Sequence, residues 1–179
     1  MKKTTPAGLA LLLLAAAATP GHAAAGPFDE VQLGVSAHDV AIGGDAREHG
    51  ADVNAEMLFV SPDILAPIWA PRPHLGINAN IQGKNSYGYF GLTWTANFLD
   101  ACFADLGLGG AIHTGPDETT ERDRKGLGTR FLFHESIDVG YRFLPGQSLA
   151  VHIDHVSNAN IGNHNPGITN IGLRYGYSF

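Results

Sequence analysis

Apolar and polar residues alternate with a period of two along most of the chain beyond residue 27. The alternating stretches are 28–42, 51–60, 73–83, 87–98, 101–112, 130–143, 148–157 and 168–179. In the first, Val31, Leu33, Val35 and Ala37 interleave with Glu30, Gln32, Ser36 and His38; in the fourth, Phe90, Leu92, Trp94, Ala96 and Phe98 interleave with Gly91, Thr93, Thr95 and Asn97. Successive side chains on a strand point to opposite faces, so this period predicts strands with one apolar and one polar face. Eight such segments, separated by turn residues, predict an all-β protein whose antiparallel strands close into a barrel and leave no free edge.

Parity alone leaves two barrels open. A soluble binding barrel would turn its apolar face inward, and a membrane barrel would turn it outward. Three features favour the second. Each apolar face holds about five alternate residues, the span of an outer-membrane strand of about 9–11 residues. The polar face collects Glu30, Glu56, Asp105, Asp138 and Asp154 with Arg142, Arg174, His134 and His152, a set able to form a mutually satisfied network inside a barrel. The chain also ends on the alternating aromatic row Tyr175, Tyr177, Phe179, which resembles the last strand of bacterial outer-membrane barrels. The expectation is an eight-stranded transmembrane β-barrel in the bacterial outer membrane. Its long outer loops would be 43–50, 113–129 and 158–167, and the proline-containing turn 61–71 would form a plug or cap. Loop 113–129, with seven charged residues between Asp117 and Lys125, reads as solvated.

Composition agrees with a lipid-facing wall. Hydrophobic residues make up 44% and charged residues only 16% of the 179, few for a surface fully in water. The formal net charge is -6, which speaks against a nucleic-acid partner. Lys2 and Lys3 precede the apolar run Leu9–Ala18, and small residues at Ala23 to Ala25 offer cleavage sites. Residues 1–25 therefore read as an export signal, and 26–179 as a single barrel domain. Cys102 is the sole cysteine, so no intrachain disulfide forms. The histidines follow no metal-ligand spacing, and no metal or other cofactor is expected.

Chemistry concentrates near residue 155. His155 and Ser157 share a strand face, close enough for an imidazole to take a hydroxyl proton. Their parity is that of Leu149, Val151 and Ile153, which places two polar groups on the lipid-facing wall, where polarity is costly. A third exception is Glu135, the lone carboxylate among Phe131, Phe133, Ile137, Val139, Tyr141 and Phe143. Segments six and seven form a hairpin about 144–147, and same-face pairing requires an even residue sum. Sums of 290 and 292 would pair Glu135 with His155 or with Ser157.

The stretch His155-x-Ser157-Asn158-Ala159 through Asn165-Pro166-Gly167, with Gly172-Leu173-Arg174-Tyr175-Gly176-Tyr177, resembles the lipid A 3-O-deacylase (PagL-like) family of outer-membrane esterases. That resemblance implies a serine esterase removing the ester-linked 3-hydroxyacyl chain of lipid A, or lipopolysaccharide, among the outer-membrane lipids. It implies Ser157 as nucleophile and His155 as general base and acid. Asn158, Asn160, Asn165 and Gly167 would contribute to oxyanion and substrate binding. The chain departs from the family at two points. Thr169 stands fourteen residues after the histidine, where the family has its acid, and Asn160 replaces a glycine. Glu135 is the expected replacement acid. The alternative is a non-catalytic outer-membrane barrel, an anchor or surface-binding protein, that has lost the acid. The oligomeric state stays open, a homodimer included.

Overall fold

The computed structural model describes residues 26–42, 45–162 and 164–179; the expected export segment 1–25 lies outside them. Eight antiparallel strands follow chain order: β1 Phe28–Ala37, β2 Ala51–Phe59, β3 Arg72–Asn80, β4 Tyr87–Phe98, β5 Cys102–His113, β6 Phe131–Leu144, β7 Gln147–Ser157 and β8 Ile168–Ser178. Each pairs with the next, and β1 pairs with β8 to close the barrel. Every expected strand is present, with shifted ends. The expected segment 28–42 is cut short at Ala37: the apolar positions change there from odd numbers to even ones, Val40 and Ile42, where Asp39 takes a left-handed conformation (φ 51°) and gives its N–H to the Asn170 side chain.

The apolar face points outward. Leu33, Ile77, Val139 and Leu173 each leave about half their surface exposed, while Glu30, Glu56, Asp138, Asp154, His152 and Arg174 are buried. Such an inversion is favourable only where the surrounding solvent is apolar. No described helix is long and apolar enough to span a membrane, so the strands supply the spanning surface.

The interior is held by charge-assisted hydrogen bonds beside a buried apolar cluster that includes Tyr87, Leu127, Leu132, Val156 and Ile168. Arg174 donates to Gln32 Oε1 at 2.8 Å and pairs with Asp138 at 3.2 Å and Glu56 at 3.3 Å. Asp138 also meets His152 Nδ1 at 3.0 Å. Nearer the turn end, Arg72 bridges Asp29 and Glu30, each at 2.8 Å. A buried charge left unpaired is costly, and this mutual satisfaction offsets the desolvation. Tyr89 crosses the lumen, donates to Glu56 at 2.9 Å and stacks on His134. Gly76 makes room for it, since a Cβ there would lie 2.3 Å from the Tyr89 ring.

The turn after β2 differs from expectation. Asp63–Ile68 forms a 3₁₀ helix with no buried residue, capped by left-handed Trp69. It lies outside the lumen, with Ile64 and Trp69 projecting, and Trp94 Nε1 donates to the Ile68 carbonyl. Pro62 at its start and Pro67 within it restrict the backbone, and no residue of the helix is buried in the lumen.

Candidate active site on the outer wall

The hairpin β6–β7 carries the sum-290 register, so Glu135 stands directly opposite His155. On the other side of β7, His155 stands opposite Thr169 of β8. The imidazole is thus flanked across the sheet by a carboxylate and a hydroxyl, and Ser157 lies two residues further along the same face. His155 and Ser157 are half-buried and Glu135 is exposed, all three on the outer wall at its outer end.

The ring is anchored at one nitrogen. His155 Nδ1 lies 2.8 Å from Thr169 Oγ1, and that hydroxyl donates weakly to the Ile42 carbonyl at 3.4 Å. In the tautomer whose Nδ1–H donates to Oγ1, the hydroxyl proton is free to turn toward the Ile42 carbonyl. That tautomer places the lone pair on Nε2, the arrangement a general base needs. Thr169 is itself buried, because the first outer loop lies over it: Val40 N–H donates to the Thr169 carbonyl at 2.8 Å. No ion pair joins Glu135 to His155 among the described residues, and Ser157 Oγ has no hydrogen-bond partner there. Catalytic hydrogen bonds are commonly loose before substrate arrives.

The segment after β7 is a tight turn. Ala159 (φ 51°) and Asn160 (φ 61°) are both left-handed, and Ile161 N–H returns to the Asn158 carbonyl at 3.0 Å. Asn158 is structural in its contacts. Its N–H donates to Asn165 Oδ1 at 2.9 Å, and its amide donates to the Leu127 and His164 carbonyls at 2.9 and 2.8 Å. The Asn165 side-chain oxygen is used in this bond, which leaves its NH₂ as a donor near the backbone that follows Ser157. The side chain of Asn160 is exposed. Gly167 (φ 58°) is buried against the imidazole; a Cβ there would lie 2.8 Å from His155 Cε1, so only glycine allows this approach.

Behind Gly167 lies a buried clasp that joins the outer loops, here L1 (38–50), L2 (81–86), L3 (114–130) and L4 (158–167). Lys125 Nζ contacts Asp39 Oδ1 at 2.6 Å and the Gly167 carbonyl at 2.9 Å. Glu48 accepts from the Lys125 N–H at 2.8 Å and from the Asn85 N–H and amide at 2.9 and 2.7 Å. It also meets His38 Nε2 at 2.9 Å, and His38 Nδ1 meets Asp52 at 2.9 Å. Burial opposes the charge on His38, but the hydrogen bonds to Asp52 and Glu48 outweigh it and raise its pKa to about 9. Burial pushes the Glu48 carboxyl up, yet the His38, Lys125 and Asn85 bonds bring it below its ordinary value. Loop 113–129 is therefore not simply solvated: Lys125 and Leu127 are among the most buried residues of the molecule. Sequence reasoning missed this clasp. Its members come from loops without periodicity, and no local signal marks Asp39, Glu48 or Lys125 as partners.

A closed eight-stranded barrel with an apolar exterior, a charged interior and an outward-facing Ser–His pair defines a transmembrane barrel of the outer-membrane kind. Residues 69–178 match the family model described as "Lipid A 3-O-deacylase (PagL)", and the chain belongs to that family. A curated relative, lipid A deacylase PagL of Bordetella bronchiseptica, is 28% identical over 86 residues; the match takes in 48% of this chain and spans only 44% of that relative. Among solved structures, the outer-membrane enzyme PagL superposes with a TM-score of 0.61 at 20% identity, covering 84% of this chain and 99% of that one. Neisserial surface protein A superposes with a TM-score of 0.54 at 10% identity, covering 86% and 98%. The chain is an outer-membrane barrel of the lipid A 3-O-deacylase family.

Proposed function

We propose that Ser157 and His155 hydrolyse the ester-linked 3-hydroxyacyl chain of lipid A from the outer leaflet. The supporting observation is the anchored imidazole: Thr169 holds Nδ1, which turns Nε2 into the proton acceptor on the face shared with Ser157. Ser157 Oγ attacks the ester carbonyl while Nε2 takes its proton. The tetrahedral oxyanion is met by the Asn165 amide and the N–H groups of the left-handed pair Ala159 and Asn160. Collapse expels the sugar hydroxyl, which regains a proton from His155, and leaves an acyl-serine. Water, activated by the same nitrogen, then releases the 3-hydroxy acid and regenerates Ser157.

The carboxylate of a serine triad does two things. It orients the imidazole, and it stabilises the imidazolium that forms in the transition state. Here the tasks divide between two strands. Thr169 orients and carries no charge, while Glu135, paired across from His155, supplies the negative charge. The competing reading, a barrel that lost its acid and its activity, draws support from the hydroxyl on Nδ1.

Mass spectrometry of lipid A exposed to the protein in liposomes separates them. Loss of one 3-hydroxyacyl group with the wild type and none with Ser157→Ala is the expected result. No loss with either protein would leave the non-catalytic barrel standing.

A further inference from the structure

A cavity of about 490 Å³ opens beside the site, lined by Arg47 of L1, Thr119 and Gly126 of L3, and His164, Asn165 and Pro166 of L4. The chain as a whole is acidic, with a net charge of -6, yet this lining contains no carboxylate. Arg47 and His164 are exposed to it, and among the described residues the Arg47 guanidinium forms no ion pair. A guanidinium, an imidazole, a hydroxyl and a carboxamide converging on one cavity make a donor-rich recess suited to a phosphorylated sugar.

The recess is fixed by the clasp. The Arg47 and Glu48 N–H groups donate to Asp39 Oδ2 at 2.8 and 3.0 Å, and Asp39 is held by Lys125, the residue before Gly126. The L1 and L3 walls are thus tied to one buried ion pair. The L4 wall is tied to the catalytic strand, because Asn165 Oδ1 accepts the N–H of Asn158, the neighbour of Ser157. A head group in the recess would lie above the wall while its acyl chains descend along it, past Ser157.

We infer that this cavity is the head-group subsite, and that Arg47 and His164 bind a phosphate on an acylated amino sugar. The inference rests on the lipid A reading for the identity of the substrate, but binding and hydrolysis can fail separately. Calorimetry with Ser157→Ala protein in nanodiscs therefore uses two probes, phosphorylated lipid A and the same lipid with its phosphates removed. The expected result is tighter binding of the phosphorylated probe. Arg47→Ala in the same background weakens it about tenfold, leaves the dephosphorylated probe unchanged, and Arg47→Lys recovers part of the loss. Equal binding of the two probes, or an Arg47→Ala effect of the same size on both, overturns the subsite. Preference for phosphate without any hydrolysis by the wild type would keep the subsite and remove the esterase.

Discussion

Two histidines three residues apart on β7 face opposite worlds. His152 points inward, where Nδ1 meets Asp138 at 3.0 Å and Nε2 meets Arg174 at 2.9 Å, so both nitrogens are engaged. His155 points outward, and among the described residues only its Nδ1 is held, by Thr169. The inner histidine has more charged neighbours, but its bonding capacity is spent on the fold. The outer one keeps a nitrogen in reserve. In the proposed reading, proximity to acids and bases is not what singles out the catalytic histidine; an oriented ring with a nitrogen left over is.

The strongest way to break this contrast is to remove a residue from each side. Ser157→Ala should lower turnover by about 10⁴-fold or more while the barrel keeps its heat-modifiable gel mobility. Retention of even a tenth of the wild-type rate would show that the nucleophile lies elsewhere. On the inner side, Arg174→Met leaves Asp138 and Glu56 without their shared cation and should destabilise the barrel by about 3–5 kcal/mol, read as a lower urea midpoint in liposomes. Turnover per folded molecule should be unchanged, and a fall matching that of Ser157→Ala would erase the inner–outer distinction.

A smaller effect tests the division of labour on the wall. Glu135→Gln should lower kcat about tenfold at unchanged KM, a loss of transition-state charge stabilisation worth roughly 1.4 kcal/mol. Placing the family's carboxylate back with Thr169→Glu should restore turnover in that background. Full activity of Glu135→Gln alone would remove Glu135 from the chemistry.

The smallest effect concerns the clasp and its pH dependence. His38 is raised from 6.5 to about 9, so its charge contributes loop stability that is complete below pH 6.5 and lost as pH rises through 9. Glu48 is lowered, so its contribution is present above pH 4.5 and lost as pH falls through its folded value. Limited proteolysis of the outer loops should therefore be slowest between about pH 5 and 6.5 and quicken toward pH 9. His38→Asn should flatten the alkaline side; a persistent alkaline rise in that variant would place the sensor elsewhere.

The barrel was legible because a period of two is a local property and survives without any knowledge of neighbours. The Glu135–His155 pairing was legible for a similar reason, since a short hairpin restricts the register to a few even sums. Only at its very turn, between Arg142 and Leu144, does the pairing slip by a bulge. What lay beyond reach was non-local or compensatory. Thr169 read only as a departure from the family's acid, because sequence alone does not reveal that its hydroxyl would reach His155 Nδ1 or that L1 would bring the Ile42 carbonyl over it. Lys125 read as one more solvated charge, because its partners Asp39 and Gly167 lie 86 and 42 residues away. The strand end at Ala37 has a local trace, the change of apolar parity before Val40, but its cause, the left-handed Asp39 bound to Asn170, lies across the barrel.

Ser157 is the final residue of β7, and that position has a geometric consequence. A strand advances about 3.3 Å per residue, so if Ser157 is the nucleophile as proposed, its place at the end of a wall-anchored strand sets its height in the leaflet, like a mark on a ruler. An ester would then have to be at that height to be cut. Acyl groups attached directly to a sugar present their esters near the head-group boundary, whereas esters carried farther along a fatty chain lie several ångströms deeper. The barrel would therefore select its bond by depth as much as by chemistry, and its encounters are counted per area of membrane instead of per volume of water.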